Sequence, residues 1–398
     1  MRSMSRRAGL AGCLALFAVA GVGDLEAAAQ SAAPGDGTAP LLTITGQVPG
    51  ELGEGFLVER SAEAFCGGRP VEPLRREILA PRIFSEAPRP PGAPPAAAPA
   101  ALAPDVLTFA IDGEGRPLSI SRSVRSDGLV VISGGPDMDV QAAFASWRFP
   151  RRALSDCEFI VHSRRVRLGD AAPAQVAHAL VSGDNRRLAP AIRRALSRPG
   201  DACETPPRLE SAAAPNRRRG RTAPGGRDWA AVRFDIDETG TTRAIEPLAS
   251  SGDDEWDAEV ARAVAETTFG AGPRRGCIVG FSRAGDDLPA PFPPPEVGEL
   301  NRCSAEQRAR LKLDRLTYPE AFSKRAIEGW AIVRFSLASW GAVGGVEVLE
   351  AQPASAFGEA AARLIRSGSV EPGPDHAAGC VDRVIFRMPD EGERPNVD

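Results

Sequence analysis

Long apolar runs, histidines and lysines are all scarce in this sequence of 398 residues, and the shortage of the first two argues against particular classes of function. His162, His178 and His376 fall in separate predicted elements, which favours packing or surface roles over a Ser/His/Asp triad or a metal site. No Cys-x-x-Cys pair occurs. Lysine appears only twice, and the net charge of -4 argues against nucleic-acid binding. We therefore predict no enzyme, no metal, no cofactor and no small-molecule substrate.

The N-terminus has the pattern of a secretory signal at residues 1–29. Arginines precede an apolar run from Leu10 to Val22, and Ala27-Ala28-Ala29 supplies the small residues of a cleavage site. The run is shorter than the roughly 20 residues of a membrane-spanning helix. We therefore expect an exported protein, and the alternative is an uncleaved N-terminus that anchors the chain in the inner membrane.

Internal repetition divides the remaining chain into three modules. Each module has an alternating strand with a phenylalanine, followed at similar distances by a turn glycine, an aliphatic residue and a cysteine: Phe109, Gly115, Ile120 and Cys157; Phe234, Gly240, Ile245 and Cys277; Phe335, Gly341, Val346 and Cys380. Each module also has one cysteine upstream. Six cysteines allow 15 pairings, and the repetition predicts one bridge per module: Cys66–Cys157, Cys203–Cys277 and Cys303–Cys380. Such bridges need an oxidising compartment.

The stretch from Tyr318 to Met388 has the clearest pattern. It contains an alternating strand, a valine-rich strand and a helix with an apolar face, formed respectively by Ala331, Val333, Phe335 and Leu337, by Val343, Val346 and Val348, and by Phe357, Ala361, Leu364 and Ile365. A Tyr318-Pro319-x-x-Ala321 start and Glu328-Gly329 precede these strands. In this order and spacing the stretch resembles the TonB C-terminal domain family. It departs from that family at residues 367–372, where a Trp-Arg-aromatic-x-Pro run is usual.

The resemblance implies a periplasmic domain that grips an extended segment of an outer-membrane receptor or another envelope protein. In the family this peptide adds beside the final strand. The implied binding residues are Tyr318 and Pro319, which open the module, and Val381, Asp382, Arg383, Val384, Ile385 and Phe386 on the final strand. In the alternative interpretation, Tyr318 and Pro319 cap the first helix and a neighbouring module covers the edge. A retained N-terminus would add contact with the inner-membrane motor complex.

The predicted fold class is α+β, with three tandem TonB C-terminal-like modules, each a small antiparallel sheet with helices on one face and one disulfide. The predicted segments are the signal 1–29, module one 41–168 with a Pro/Ala-rich insertion 87–104, a helical connector 170–200, module two 203–284, a Pro-rich linker 285–297, module three 298–390 and a disordered tail 391–398. The predicted function is peptide binding by strand addition, linked to energy transduction for TonB-dependent transport. The alternative is a non-enzymatic periplasmic scaffold without a transport role.

Overall fold

The computed structural model describes residues 55–85, 102–122, 138–182, 189–203, 208–216, 222–270, 272–292, 295–372 and 377–388. The predicted signal 1–29, the tail 391–398, His376 and all but the last three residues of the insertion 87–104 lie outside these ranges. Within them, none of the helices has the length and apolar character needed to cross a membrane. The fold is α+β, with small antiparallel sheets and few helices.

The first sheet is six-stranded and antiparallel, and helix α1 covers one of its faces. Its elements are β1 (Gly55–Cys66), β2 (Arg69–Pro70), β3 (Arg82–Ser85), β4 (Asp105–Ile111), β5 (Pro117–Arg122), α1 (Met138–Ala145) and β6 (Leu154–Arg167). The strand order is β2-β1-β6-β4-β5, and β3 pairs with β1. Phe144 of α1 stacks on Phe159 of β6 with ring centroids 3.9 Å apart, which places an aromatic core between helix and sheet.

The second sheet is covered by helices on both faces. Helices α2 (Pro173–Ser182) and α3 (Ala189–Leu196) precede this part of the chain. The elements after them are β7 (Leu209–Ser211), β8 (Arg227–Ile236), β9 (Thr242–Ser250), α4 (Asp254–Ala265), β10 (Thr268–Phe269) and β11 (Arg274–Ala284). The strand order is β11-β8-β9, and β7 pairs separately with β10. Trp256 of α4 packs on one face with Phe234. Helices α2 and α3 pack on the other face, where His178 stacks on Trp229.

The third sheet has the order β13-β12-β14. Its elements are α5 (Ala305–Ala309), α6 (Glu320–Ser323), β12 (Gly329–Leu337), β13 (Val343–Gln352), α7 (Ser355–Ser367) and β14 (Ala377–Phe386). The buried face of α7, with Phe357, Ala361 and Ile365, covers the sheet as its helical spacing predicts. On the opposite face, the indole Nε1 of Trp330 donates hydrogen bonds to the carbonyls of Pro291 and Phe292 at 2.9 and 3.1 Å. The segment predicted as a Pro-rich linker is therefore packed against this sheet.

One tight turn recurs in all three sheets and explains the repeated glycine. Gly115, Gly240 and Gly341 have φ of 80°, 85° and 95°, a region that glycine adopts without strain. The amides of Phe149, Phe269 and Val370 donate to the carbonyls of these glycines at 2.9, 2.9 and 3.0 Å, respectively. A Cβ at any of the three would come within 2.4 Å of a carbonyl oxygen on the returning chain. The turn therefore requires glycine, both because φ is positive and because a Cβ would clash with the carbonyl oxygen.

Three disulfides each join an upstream cysteine to a cysteine near the start of the last long strand of a sheet. The upstream cysteine ends β1 in the first sheet and precedes the strands in the second and third sheets. They are Cys66–Cys157, Cys203–Cys277 and Cys303–Cys380, the same pairs that the repetition predicts. The second cysteine of each pair lies opposite the repeated phenylalanine in the ladder: Cys157 opposite Phe109, Cys277 opposite Phe234 and Cys380 opposite Phe335. The spacing in the sequence thus reflects a shared strand register.

The first and third sheets share one hydrophobic core. Phe109 and Phe144 of the first sheet belong to the same buried cluster as Phe322 and Phe357 of the third. The outer strand β5 meets the chain just after β13, where the Ile120 amide donates to the Pro353 carbonyl at 2.9 Å. Ser119 and Gln352 add two further hydrogen bonds, of 2.9 and 2.8 Å. The second sheet packs through α2 and α3 on a separate cluster that includes Leu57 of β1.

Candidate functional site

The last strand, β14, lies at the end of the third sheet, with β12 on its inner side. On its outer side, the Arg302 amide donates to the Gly379 carbonyl at 3.0 Å. The Val381 amide donates to Oδ1 of Asn301 at 3.1 Å. The chain before the sheet therefore covers the first half of this edge, up to Val381.

The second half of the β14 edge is different. In an antiparallel ladder every second residue directs its main-chain groups away from the paired strand. Because Val381 points outward, Arg383 and Ile385 do so as well. The Arg383 amide is met by Oδ1 of its own neighbour, Asp382, at 2.8 Å. Within the described ranges, no main-chain hydrogen bond reaches the outer side of Ile385, whose side chain is 40% exposed.

The predicted site residues divide into surface and core groups. Asp382, Arg383 and Ile385 reach the surface, and Arg383 forms an ion pair of 3.2 Å with exposed Glu296. Val381, Val384 and Phe386 are buried in the sheet. The candidate edge therefore offers backbone groups and a few side chains, and most of the predicted side chains serve the fold.

Tyr318 and Pro319 are also part of the core. The Tyr318 hydroxyl donates to the Ile327 carbonyl at 2.7 Å, and its ring packs edge-on against Phe386 with centroids 5.5 Å apart. Burial, together with nearby Glu328 and Asp287, raises the pKa of the tyrosine hydroxyl well above its usual range. Pro319 is buried at the N-cap of α6. This placement is compatible with the capping interpretation of the pair, and contact of either residue with a peptide stays a prediction.

The equivalent edge of the first sheet carries an additional strand. β1 pairs antiparallel with the outer side of β6 along its length, from Phe56 opposite Arg167 to Cys66 opposite Cys157. The repeated sequence pattern does not predict this strand. A usable signal is the alternation of Ala62, Ala64 and Cys66, which face the core, with polar Ser61 and Glu63. The outer side of β6, the last strand of the first sheet, thus carries another strand.

The remaining titratable candidates are not gathered into a reactive cluster in the described part of the chain. His162 is exposed on β6. His178 is buried against Trp229, and burial together with nearby Arg227 lowers its pKa to about 4, so the ring is neutral near pH 7. No group of three or more His, Cys, Asp or Glu side chains among the described residues is arranged to hold a metal ion.

Comparison with known families identifies two segments of the chain. A family described as the C-terminal of the Gram-negative bacterial TonB protein matches residues 314–387, and one described as the TonB C terminal matches residues 208–277. No curated protein matches the chain. The two matched segments are thus similar to TonB C-terminal domains, a family that is in general non-enzymatic. The predicted resemblance is thereby confirmed for the third and second sheets, and the first sheet lies outside both matches.

Proposed function

We propose that this chain is a periplasmic TonB-like protein that binds an extended segment of an outer-membrane receptor or another envelope protein at the outer edge of β14. The observation that carries the proposal is the pairing of β1 with β6, because it shows a strand added at the corresponding edge of the first sheet. The shared turn, disulfide and strand register support the view that the three sheets are three tandem TonB-like modules.

The chemistry of the edge suits a peptide bound through its backbone. Free N–H and C=O groups at a sheet edge pair with an extended chain, and side-chain pockets add specificity. Ile385 supplies outward main-chain groups, and a ligand that extends to Arg383 displaces the Asp382 side chain from the Arg383 amide. Each main-chain hydrogen bond contributes about 1 kcal/mol net. A strand of this length therefore gives modest affinity, which suits a reversible contact.

Proline substitutions test the outward main-chain groups of β14 separately from the inward groups that pair with β12. Ile385→Pro removes an outward N–H that β12 does not use, so we expect loss of peptide binding with little change in stability. Ile385→Ala is the matched control, since it shortens the side chain and keeps the N–H. Val384→Pro removes an inward donor at a position that is 8% exposed, and we expect about 2 kcal/mol or more of destabilisation.

The measurement is a titration of the full mature chain with receptor plug peptides, followed by backbone amide shifts. Wild type and Ile385→Ala should show shift changes across Val381–Phe386, and Ile385→Pro should show none. Equal binding by wild type and Ile385→Pro, or no change at Val381–Phe386 in wild type, would contradict strand addition at β14.

A second candidate function is a non-enzymatic periplasmic scaffold. It is favoured by the hydrophobic core that the first and third sheets share and by the hydrogen bonds between Ser119 and Gln352. A scaffold of this kind needs no open edge. It is the conclusion to draw if plug peptides leave β14 unchanged while Gln352→Ala releases the first sheet from the third in hydrogen exchange.

The link to energy transduction depends on the N-terminus, which lies outside the described residues. Cleavage after Ala29 gives a periplasmic binder, whereas a retained segment 1–29 ties the chain to the inner membrane and its motor complex. The mass of the mature N-terminus in soluble and membrane fractions decides between them. A chain that begins at Met1 in the membrane fraction would contradict the periplasmic binder and support the transducer.

A further inference from the structure

Strand β1 is fixed to the first sheet far more firmly than any segment is fixed to β14. Its N-terminal half is apolar and buried, with Phe56, Leu57 and Val58 each at most 5% exposed. Leu57 lies in the cluster that also holds α2 and α3, and β3 pairs with the same half of the strand. The C-terminal end is held by the disulfide from Cys66 to the directly opposite Cys157.

The main-chain hydrogen bonds of β1 show which of its residues face β6. The Val71 amide donates to the Ala64 carbonyl at 2.8 Å, so the even-numbered residues of this part of β1 point away from β6. Phe65, Glu63 and Ser61 therefore face Glu158, Ile160 and His162 of β6. Counted from the last-strand cysteine, those three β6 residues correspond to Val381, Arg383 and Ile385 on β14.

The two equivalent edges thus differ in what covers them. On the first sheet the ladder continues through the middle of the strand, where Nε of Arg164 donates to Oε2 of Glu59 at 3.0 Å. On the third sheet, among the described residues, the chain before the cysteine bonds to the main-chain groups of Gly379 and Val381, and beyond them Glu296 pairs with the Arg383 side chain. The segment upstream of the cysteine is what decides whether the edge is closed.

We propose that β1 is a built-in ligand that closes the peptide edge of the first sheet in cis, so that a partner strand is accepted at β14 and not at β6. The claim that a partner strand binds at β14 rests on the proposed function. The claim that β1 closes the edge of β6 does not. A tethered strand with a buried apolar half and a covalent end has a large entropic advantage over a free peptide at the same edge.

The test compares two neighbouring proline variants of the full chain. Ser61→Pro removes a donor that faces β6, whereas Ala62→Pro places the ring where the N–H points outward. Hydrogen exchange of the Ile160 and His162 amides is the readout. We expect exchange to accelerate by about tenfold or more in Ser61→Pro and to stay within about threefold of wild type in Ala62→Pro. A synthetic peptide with the sequence of Gly55–Cys66, carrying serine in place of Cys66, should restore protection to Ser61→Pro.

Titration with a receptor plug peptide completes the test. In wild type the peptide should shift β14 amides alone, and in Ser61→Pro it should also shift Ile160 and His162. Unchanged protection in Ser61→Pro, or wild-type shifts at His162 as large as those at Ile385, would overturn the closure. If plug peptides bind nowhere while the exchange and rescue results hold, the proposed function fails and the closure of the first sheet stands.

Discussion

Glu77 links parts of the chain from all three sheets, and its removal gives the sharpest test of how they are joined. Its Oε1 accepts hydrogen bonds from the Arg227 amide at 3.1 Å and from Nη1 of Arg325 at 3.3 Å. Its own carbonyl accepts from the indole of Trp147 at 3.1 Å. The Arg325 side chain is only 4% exposed, and its other carboxylate neighbour, Asp139, lies 3.9 Å away.

Glu77→Ala leaves a buried guanidinium with one distant counter-charge and a main-chain amide without its acceptor. Breaking a buried ion pair costs roughly 3–5 kcal/mol. Because the Glu77 side chain is 25% exposed and Asp139 remains, we expect a smaller loss of about 2–3 kcal/mol in the free energy of unfolding. Glu77→Gln keeps an acceptor for Arg227 and should lose about half as much.

Glu72→Ala is the matched control from the same loop. Its carboxylate pairs with Arg76 at 3.3 Å, but the two side chains are 84% and 58% exposed, so the pair contributes about 0–1 kcal/mol. The assay is urea unfolding of the disulfide-intact chain, followed by tryptophan fluorescence and by far-UV circular dichroism. Equal losses in Glu77→Ala and Glu72→Ala would refute the assignment of Glu77 as the joining residue.

Other predictions concern single sites. Gly240→Ala should cost more than about 2 kcal/mol in thermal unfolding because the new Cβ meets the Phe269 carbonyl, whereas Gly252→Ala, at a similar φ with open space, should cost only about 1 kcal/mol. Cys303→Ser should remove about 4 kcal/mol of chain-entropy stabilisation, and hydrogen exchange should show the loss in the first sheet as well, since the core is shared. The depressed pKa of His178 means that the unfolded chain binds the extra proton, so stability falls as pH drops from about 6.5 towards 4. Wild type should lose about 2 kcal/mol more than His178→Phe between pH 8 and 5 in urea unfolding.

The parts of the fold that repeat were predictable from the sequence. A positive φ next to a returning carbonyl admits only glycine, so glycine recurs at matching positions of the repeats, as Gly115, Gly240 and Gly341. The last-strand cysteines share a ladder register with the repeated phenylalanines, which is why the spacing also predicts the disulfide pairs. Local backbone geometry and strand register both act over short distances, and both are visible in residue types.

Strand β1 was not predictable in the same way because its burial changes along its length. Phe56, Leu57 and Val58 are all buried, and Leu57 packs in the cluster that also holds α2 and α3. A continuous apolar run has no period of two, and the polar stretch that follows hides the alternation near Cys66. Tyr318 is ambiguous for a related reason: an amphipathic ring suits a binding surface or a buried hydrogen bond, and the Ile327 carbonyl that selects the second is set by tertiary packing.

In the proposed function, edge occupancy decides where a partner strand binds, and it depends on contacts between distant segments. The outer side of β6 is filled by β1, and β5 is met by the chain at Pro353. Within the described part of the chain, the upstream segment bonds to main-chain groups of β14 as far as Val381, and Glu296 pairs with the Arg383 side chain. Sheets with the same turn and the same disulfide therefore present different edges to a partner. An exposed sheet edge can pair with any extended chain. Covering the edge of one sheet and leaving part of another edge uncovered therefore limits where a strand can be added. The segments upstream of the cysteines, outside the repeated pattern, are thus where the specificity of this protein is expected to reside.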